Sequence, residues 1–364
     1  MPRPGSIPAI RDRIDRIDEQ LVELLNRRAR LALAVAAQKR RHRSDIYAPG
    51  RESGVLARVA RHNGGPLAAT SLRAIFREII SASRGLEVQL RVSYLGPAAT
   101  WTHLAAQRQF GAAAAYVPAD TIADIFRDVE AGRAELGVVP VENSTEGMVA
   151  HTLDLLVDSP LAICAEVAVH VRHCLLVRRG TAMSSIRRVV AHPQALAQCR
   201  QWLATHLPNV ETMQETSNAR AAERAATDAR SAAIAAEAAA TTYHLDVAAR
   251  GIQDETDNVT RFLVLGQHDC QEPTGDDKTS LVVSVRDEVG VLSRMLRPFA
   301  THGVDLIKIE SRPLRARPWE YYFFLDLKGH RREPRVARAL AAVERRALRV
   351  KILGSYPATP DVSS

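Results

Sequence analysis

The sequence predicts a multidomain protein: an all-α segment, then an α/β region, then a ferredoxin-like βαββαβ segment. Three observations carry this reading. Residues 10–35 repeat apolar side chains in steps of four and three, without proline or glycine. After Arg91, short β-rich apolar runs alternate with alanine-rich helical stretches. The last stretch, of about 80 residues, spells strand, helix, strand, strand, helix, strand. At 364 residues the chain is too long for one ordinary core. We read the domains as 1–90, 91–268 and 278–357.

Taken in order, the first seam runs Ile10, Ile14, Ile17, Leu21, Leu24, Leu31, Val35, with Arg28 in its one gap. A helix over 8–41 would be about 50 Å long at 1.5 Å per residue. That is too long for 90 residues to cover, so a second copy is expected against it. A second helix is predicted over 51–61, stopped by Asn63-Gly64-Gly65-Pro66. A third is predicted over 69–87, with Leu72, Ile75, Phe76, Ile79 and Ile80 on one face. Strands are predicted over 92–95, 136–141, 163–177, 188–191, 232–235 and 262–265. Residues 267–277 read as a linker. The final segment gives strands over 280–285, 304–312, 321–328 and 350–356, with helices beginning near Gly290 and Pro334.

Composition limits the function classes. With 46% hydrophobic and 25% charged residues, the mixture is that of a globular protein. No apolar run approaches the roughly 20 residues of a membrane span. Met1–Ser6 has no apolar region behind it, so no secretion signal is expected. Cys164, Cys174, Cys199 and Cys270 lie far apart and read as reduced thiols of a cytoplasmic protein. Residues 1–90 hold 17 Lys+Arg against 9 Asp+Glu, and the remainder holds 32 of each. The basic excess suits nucleic acid, an acidic membrane or a small polyanion. A ligand-responsive DNA-binding regulator would need two short helices around a tight turn. One uninterrupted helix covers those positions instead.

Polar groups on the inward stripes suggest a polar pocket between helices: Arg28 and Lys39, then Arg51-Glu52, then Ser83 and Glu87. With Ile10–Asp18 and Arg27-Arg28, these positions resemble the all-helical chorismate mutase of the type fused to prephenate dehydratase. The resemblance implies that Arg11, Arg28, Lys39 and Arg51 hold the carboxylates of chorismate, Glu52 binds its hydroxyl, and Ser83 supports the pocket. Arg11 and Arg28 stand about 25 Å apart along one helix, so one site using both takes Arg11 from a partner chain. Lys39 and a protonated Glu87 would stabilise charge on the breaking ether oxygen. Mutase activity should then fall as pH rises, and Glu87→Gln should flatten the profile. Ala48 stands where some relatives carry Asp. A silent mutase domain is the corresponding alternative.

In the α/β region, four loops place hydroxyls and backbone N–H groups between a strand end and a helix start. They are Leu95-Gly96-Pro97 with Thr100, Val141–Gly147, His192-Pro193-Gln194, and Glu215-Thr216-Ser217-Asn218. Without a glycine-rich nucleotide fingerprint, they suggest a small carboxylate-bearing ligand. Together with Asn258-Val259-Thr260-Arg261-Phe262, they resemble prephenate dehydratase. The resemblance implies two α/β lobes around a cleft, like a periplasmic binding protein. It makes Thr260 the proton donor to the leaving hydroxyl, with Arg261 supplying charge nearby. Thr100, Glu142, Asn143, Ser144, His192, Gln194, Thr216, Ser217 and Phe262 would line the substrate. Ala98-Ala99-Thr100-Trp101-Thr102 departs from the family's usual Glu-Gly-Thr-Phe-Ser. Neither reaction needs a metal or an organic cofactor.

Gly290-Val291-Leu292-Ser293 and Glu310-Ser311-Arg312-Pro313 resemble the effector motifs of an ACT domain. The resemblance implies L-phenylalanine bound at a dimer interface and feedback inhibition; dimerisation alone is the plainer role of such a module. The whole reads as a bifunctional enzyme taking chorismate through prephenate to phenylpyruvate. It would work as a homodimer or tetramer, with no nucleic-acid or membrane partner.

Overall fold

A computed structural model describes residues 6–41, 47–286, 288–313 and 321–359. Two compact units divide the chain. One comprises the chain up to Ala48, Gly54–Leu90 and Phe110–Ala115; the other comprises Pro49–Ser53, Arg91–Gln109 and everything from Tyr116 onward.

The first unit is helical: α1 (Ile7–Arg41), most of α2 (Pro49–Arg61) and α3 (Ala69–Gly85). Pro49 starts α2, where its fixed φ and missing N–H do no harm. α3 ends two residues earlier than its apolar stripe predicts. All seven seam residues of α1 are exposed, from 47% at Ile10 to 64% at Leu31. The seam therefore faces away from its own chain. Elsewhere the unit is tightened by Arg84, buried over the rings of Tyr47 and Phe110 at 5.6 and 5.8 Å.

The second unit begins with a lobe built from β1 (Arg91–Leu95), α4 (Trp101–Phe110), β2 (Ala115–Ala119), α5 (Ile122–Glu130), β3 (Leu136–Asn143), β4 (Gly147–Met148), α6 (Ala150–Asp158) and β5 (Ala162–His170). The chain then crosses into a second lobe: β6 (Cys174–Arg178), β7 (Arg188–Ala191), α7 (Pro193–Gln198), α8 (Arg200–His206), β8 (Glu211–Gln214), α9 (Asn218–Thr227), β9 (Ser231–Ala235), α10 (Glu237–Tyr243) and β10 (Leu245–Arg250). It returns as β11 (Val259–Gly266), which enters the first sheet between β3 and β5. The sheets run β2-β1-β3-β11-β5 and β10-β6-β9-β7-β8. Two sheets joined by two crossings make the periplasmic-binding-protein plan. The single strand predicted over 163–177 is thus two strands in different lobes, parted at Val171–His173, where Val171 and His173 are buried and Arg172 is exposed.

The remaining elements are β12 (Asp277–Val285), α11 (Val291–Thr301), β13 (Leu306–Pro313), β14 (Tyr321–Lys328), α12 (Pro334–Glu344) and β15 (Arg349–Pro357). Their antiparallel order, β13-β14-β12-β15, is ferredoxin-like. One face of this sheet meets α11 and α12. From the other, Val282, Phe324, Leu353 and Tyr356 join the core of the first lobe with Leu153, Leu156 and Ile163. The 267–277 segment is no free linker. Asp269 accepts from Ser355 N–H at 2.8 Å and pairs with Arg331 at 2.7 Å.

Candidate active sites

In the helical unit, α1 is unbroken, so Arg11 and Arg28 are held far apart on one rod. Arg28 Nη1 donates to Ser83 Oγ at 2.7 Å, and Ser83 donates to the Ile79 carbonyl at 2.7 Å. The guanidinium is thereby aimed while keeping further N–H groups for an anion. Glu87 follows the end of α3, half-buried, its N–H on the Arg84 carbonyl at 2.9 Å. Arg11 is exposed on α1. Arg51 and Glu52 lie in the first turn of α2, Arg51 exposed and Glu52 half-buried. The Lys39 side chain lies outside the described residues.

Between the two α/β lobes, Thr260 on β11 lies opposite Asn143 on β3. Asn143 Nδ2 donates to Thr260 Oγ1 at 2.8 Å and to Asn258 Oδ1 at 2.7 Å. Asn258 Nδ2 donates to Gln198 Oε1 at 3.1 Å, and Gln198 Nε2 to Thr145 Oγ1 at 3.3 Å. Thr145 closes the ring by donating to Asn143 Oδ1 at 2.6 Å. Every amide in this ring has one self-consistent orientation. Its consequence falls on Thr260: an N–H fills one of the hydroxyl's acceptor positions, and the hydroxyl proton stays available to a ligand. His173, buried on the crossing between lobes, meets Gln198 Oε1 through Nε2 at 3.0 Å, while its buried Nδ1 has no partner among the described residues. Burial holds this imidazole below its ordinary pKa, against the opposing hydrogen bond to Gln198. Asn258 and Thr145 stood in the quoted sequence motifs, but Gln198 and His173 were missed. Their only signal was closeness in sequence to residues already quoted.

Several expected ligand groups are occupied by the fold. Thr100 Oγ1 donates to the Leu95 carbonyl at 2.7 Å and caps α4. Ser144 Oγ accepts from Val259 N–H at 3.0 Å, stapling β3 to β11. His192 and Ser217 cap α7 and α9, and the His192 N–H reaches Asn218 Oδ1 at 3.0 Å. Gln194 is half-buried in the first turn of α7 and Thr216 is exposed just before α9. Phe262 is 1% exposed; its ring fills core and has no open face for a substrate.

Arg261 corrects the expectation of charge beside Thr260. Successive strand residues face opposite sides of a sheet. Arg261 reaches away from the Thr260–Asn143 pair and meets Glu142 at 2.7 Å, Glu166 at 3.0 Å and Asp326 at 3.2 Å. Glu142, its ladder partner, is on the same side and also pairs with Lys308. Both residues belong to the contact with the C-terminal sheet. There, Gly290 takes φ +75° at the head of α11, a conformation that favours glycine. Val291, Leu292 and Ser293 form the first turn of α11. On edge strand β13, Glu310 and Arg312 are half-buried, Ser311 and Pro313 are exposed, and Arg312 pairs with Asp154 at 3.0 Å.

Comparison with known proteins agrees with this three-part geometry. Family models match a type II chorismate mutase over residues 10–88, a prephenate dehydratase over 92–270 and an ACT domain over 279–345. A bifunctional chorismate mutase/prephenate dehydratase of Aquifex aeolicus is 45% identical over 96% of this chain and 97% of its own. Two solved structures share the fold at a TM-score of 0.69. A prephenate dehydratase of Arthrobacter aurescens in complex with L-Phe is 38% identical, covering 75% of this chain and 92% of that one. A protein described as a quorum quenching acylase, GqqA, is 31% identical, covering 74% and 98%. With all three domain types in one chain and near-complete coverage of its relative, the chain belongs to the bifunctional chorismate mutase/prephenate dehydratase family.

Proposed function

We propose that Thr260, oriented by the Asn143–Asn258–Gln198–Thr145 ring, is the general acid of the dehydratase. The enzyme converts chorismate to prephenate and prephenate to phenylpyruvate. In the second step the ring C–O bond and the bond to the ring carboxylate break, and the released electron pair makes the ring aromatic. Hydroxide leaves poorly, so it takes the Thr260 proton and departs as water, with carbon dioxide as the other product. Solvent then reprotonates the threonine. The observation carrying this is Asn143 Nδ2 donating to Thr260 Oγ1. Thr100, Ser144, His192, Gln194, Thr216 and Ser217 shape the surrounding cleft.

In the mutase, Arg11, Arg28, Lys39 and Arg51 hold the two carboxylates, Glu52 the hydroxyl, and Lys39 with Glu87 the ether oxygen. A homodimer supplies Arg11 to the site of its partner; the exposed α1 seam supports this. L-Phenylalanine binds the Gly290–Ser293 and Glu310–Pro313 motifs and inhibits the dehydratase; the L-Phe complex of the Arthrobacter relative supports it. The domains run 1–90, 91–268 and 278–357. Among the described residues no helix is long and apolar enough to cross a membrane, and we place the enzyme in the cytoplasm. The test starts separate reactions from chorismate and from prephenate, with and without phenylalanine, and follows phenylpyruvate. Product from both substrates, suppressed by phenylalanine, is expected. Product from prephenate alone would reject the mutase assignment.

A further inference from the structure

Arg261 stands at the centre of a charge-balanced cluster that joins two domains of the second unit. Glu142 and Glu166 come from the dehydratase lobe, and Asp326, Lys278 and Lys308 from the C-terminal sheet. Lys278 Nζ meets Glu166 at 2.7 Å, and Lys308 pairs with Glu142. Glu166 and Lys278 are only 5% and 12% exposed in their side chains. Three cations and three carboxylates thus pair with one another, Glu166 and Lys278 deeply buried and the other four partly exposed. Burial alone would raise the Glu142 carboxyl, yet Lys308 and Arg261 hold it below the usual carboxylate range. Buried ion pairs add little net stability against apolar packing, but they fix one geometry and tolerate displacement poorly. A cavity of about 30 Å³ beside Arg261, Lys308, Glu310 and Asp326 leaves that geometry room to change.

The register gives the cluster a mechanical link to the chemistry. On the β3–β11 ladder, Thr260 opposes Asn143 and the next pair is Arg261 with Glu142. One face of two adjacent ladder pairs therefore holds the general acid and its orienting amide. The other face is gripped by Lys308 and Asp326. Lys308 sits two residues before Glu310 on β13, the strand carrying an effector motif. A bulge at Val141 next to these pairs loosens the ladder.

We propose that the Glu142–Arg261 pair is the coupling element between the effector strand and the dehydratase centre, with Lys308 and Asp326 as its handles. Arg261 is on this account a positioning residue, acting through the backbone that carries Thr260 and Asn143. The inference rests on the dehydratase and phenylalanine-effector reading above. A shift of β13 moves Lys308, drags Glu142 and changes the distance between Asn143 and Thr260. No ligand need touch both sites; it need only favour one arrangement of the cluster.

The experiment uses the full chain with Lys308→Met, which keeps the apolar stem and removes the charge, and Asp326→Asn as a second variant. Phenylalanine binding is read by calorimetry, and prephenate turnover at zero and saturating phenylalanine. Both variants should turn over prephenate within about twofold of the parent and bind phenylalanine within about threefold. Saturating phenylalanine should slow the parent by about tenfold or more, a usual size of allosteric coupling, and the variants by less than twofold. Full inhibition of both variants would overturn the proposal. So would loss of phenylalanine binding with turnover intact, which would make the two residues effector ligands. A parent enzyme that phenylalanine does not inhibit would instead reject the effector reading itself. Where one variant fails to fold, the other decides.

Discussion

Asn143 determines the direction in which Thr260 acts. A hydroxyl can donate one hydrogen bond, and a neighbouring amide N–H leaves that donation to the substrate, whereas a neighbouring carboxylate would take it. Asn143→Asp keeps the size and reverses the polarity, so the Thr260 proton would turn back into the protein. We expect kcat for prephenate to fall about a hundredfold, with KM little changed and mutase turnover unaffected. A loss under threefold in steady-state kinetics would remove Asn143 from this role. His173 makes a different demand. Its folded pKa lies below the value near 6.5 of an unfolded histidine, so between the two the unfolded chain binds more protons. Its contribution to stability is complete above pH 6.5 and is lost as pH falls below it. Melting temperature should therefore drop between pH 7 and 5.5, and by a few degrees less in His173→Asn. At the other extreme, burial pushes the Cys199 thiol up to about 12, which makes this fully buried side chain packing rather than a nucleophile.

Strands β5 and β15 show what elements add to single residues. Gly354 on β15 lets the C-terminal sheet lie directly on β5, and a Cβ there would stand 2.1 Å from the Ile163 carbonyl oxygen. Neither backbone can give way, because each is bonded into its own sheet. Gly354→Ala should cost about 3 kcal/mol, the upper range of overpacking, and lower the denaturant midpoint. An unshifted midpoint would mean that the sheets are not so close. Legibility differed among elements for a related reason. The α1 seam and the βαββαβ order were readable because period and punctuation persist over many residues. β2, β8 and β10 were not, since a strand interrupted by Pro118, a four-residue mostly polar strand and a six-residue strand of broken alternation carry no clear period. The split of 163–177 into β5 and β6 escaped because apolar, β-rich runs flank the short crossing Val171–His173 on both sides.

Across the whole molecule, the exposed seam of α1 and the distance between Arg11 and Arg28 make one demand. If each mutase site uses Arg28 of one chain and Arg11 of the other, Arg11→Ala and Arg28→Ala should both be inactive as pure proteins. Unfolded together and refolded as a mixture, they should recover about a quarter of parental mutase activity, because half the dimers then carry one intact site of two. Dehydratase turnover should be normal in all three samples. A mixture as inactive as its components would mean that each site is built within one chain.

The sequence by itself determined the three domain types and their order. It also determined the residue identities at the helix caps, the Asn-Val-Thr-Arg-Phe strand and the glycine heading α11. These are local properties, set by periodicity and by side chains bonding their own neighbours. Only the tertiary structure decided what Thr260 and Arg261 each meet on the two faces of one strand. It also decided that Gln198 of the second lobe joins the ring that holds Asn143 against Thr260, with His173 of the crossing behind Gln198, and that the ACT sheet grips Arg261. The bonds of Asn258 to Gln198, Asn143 to Thr260 and Arg261 to Asp326 join residues 60, 117 and 65 positions apart. Strand alternation could separate the two faces, but what waits on each face depends on which strands pair and which domain packs there.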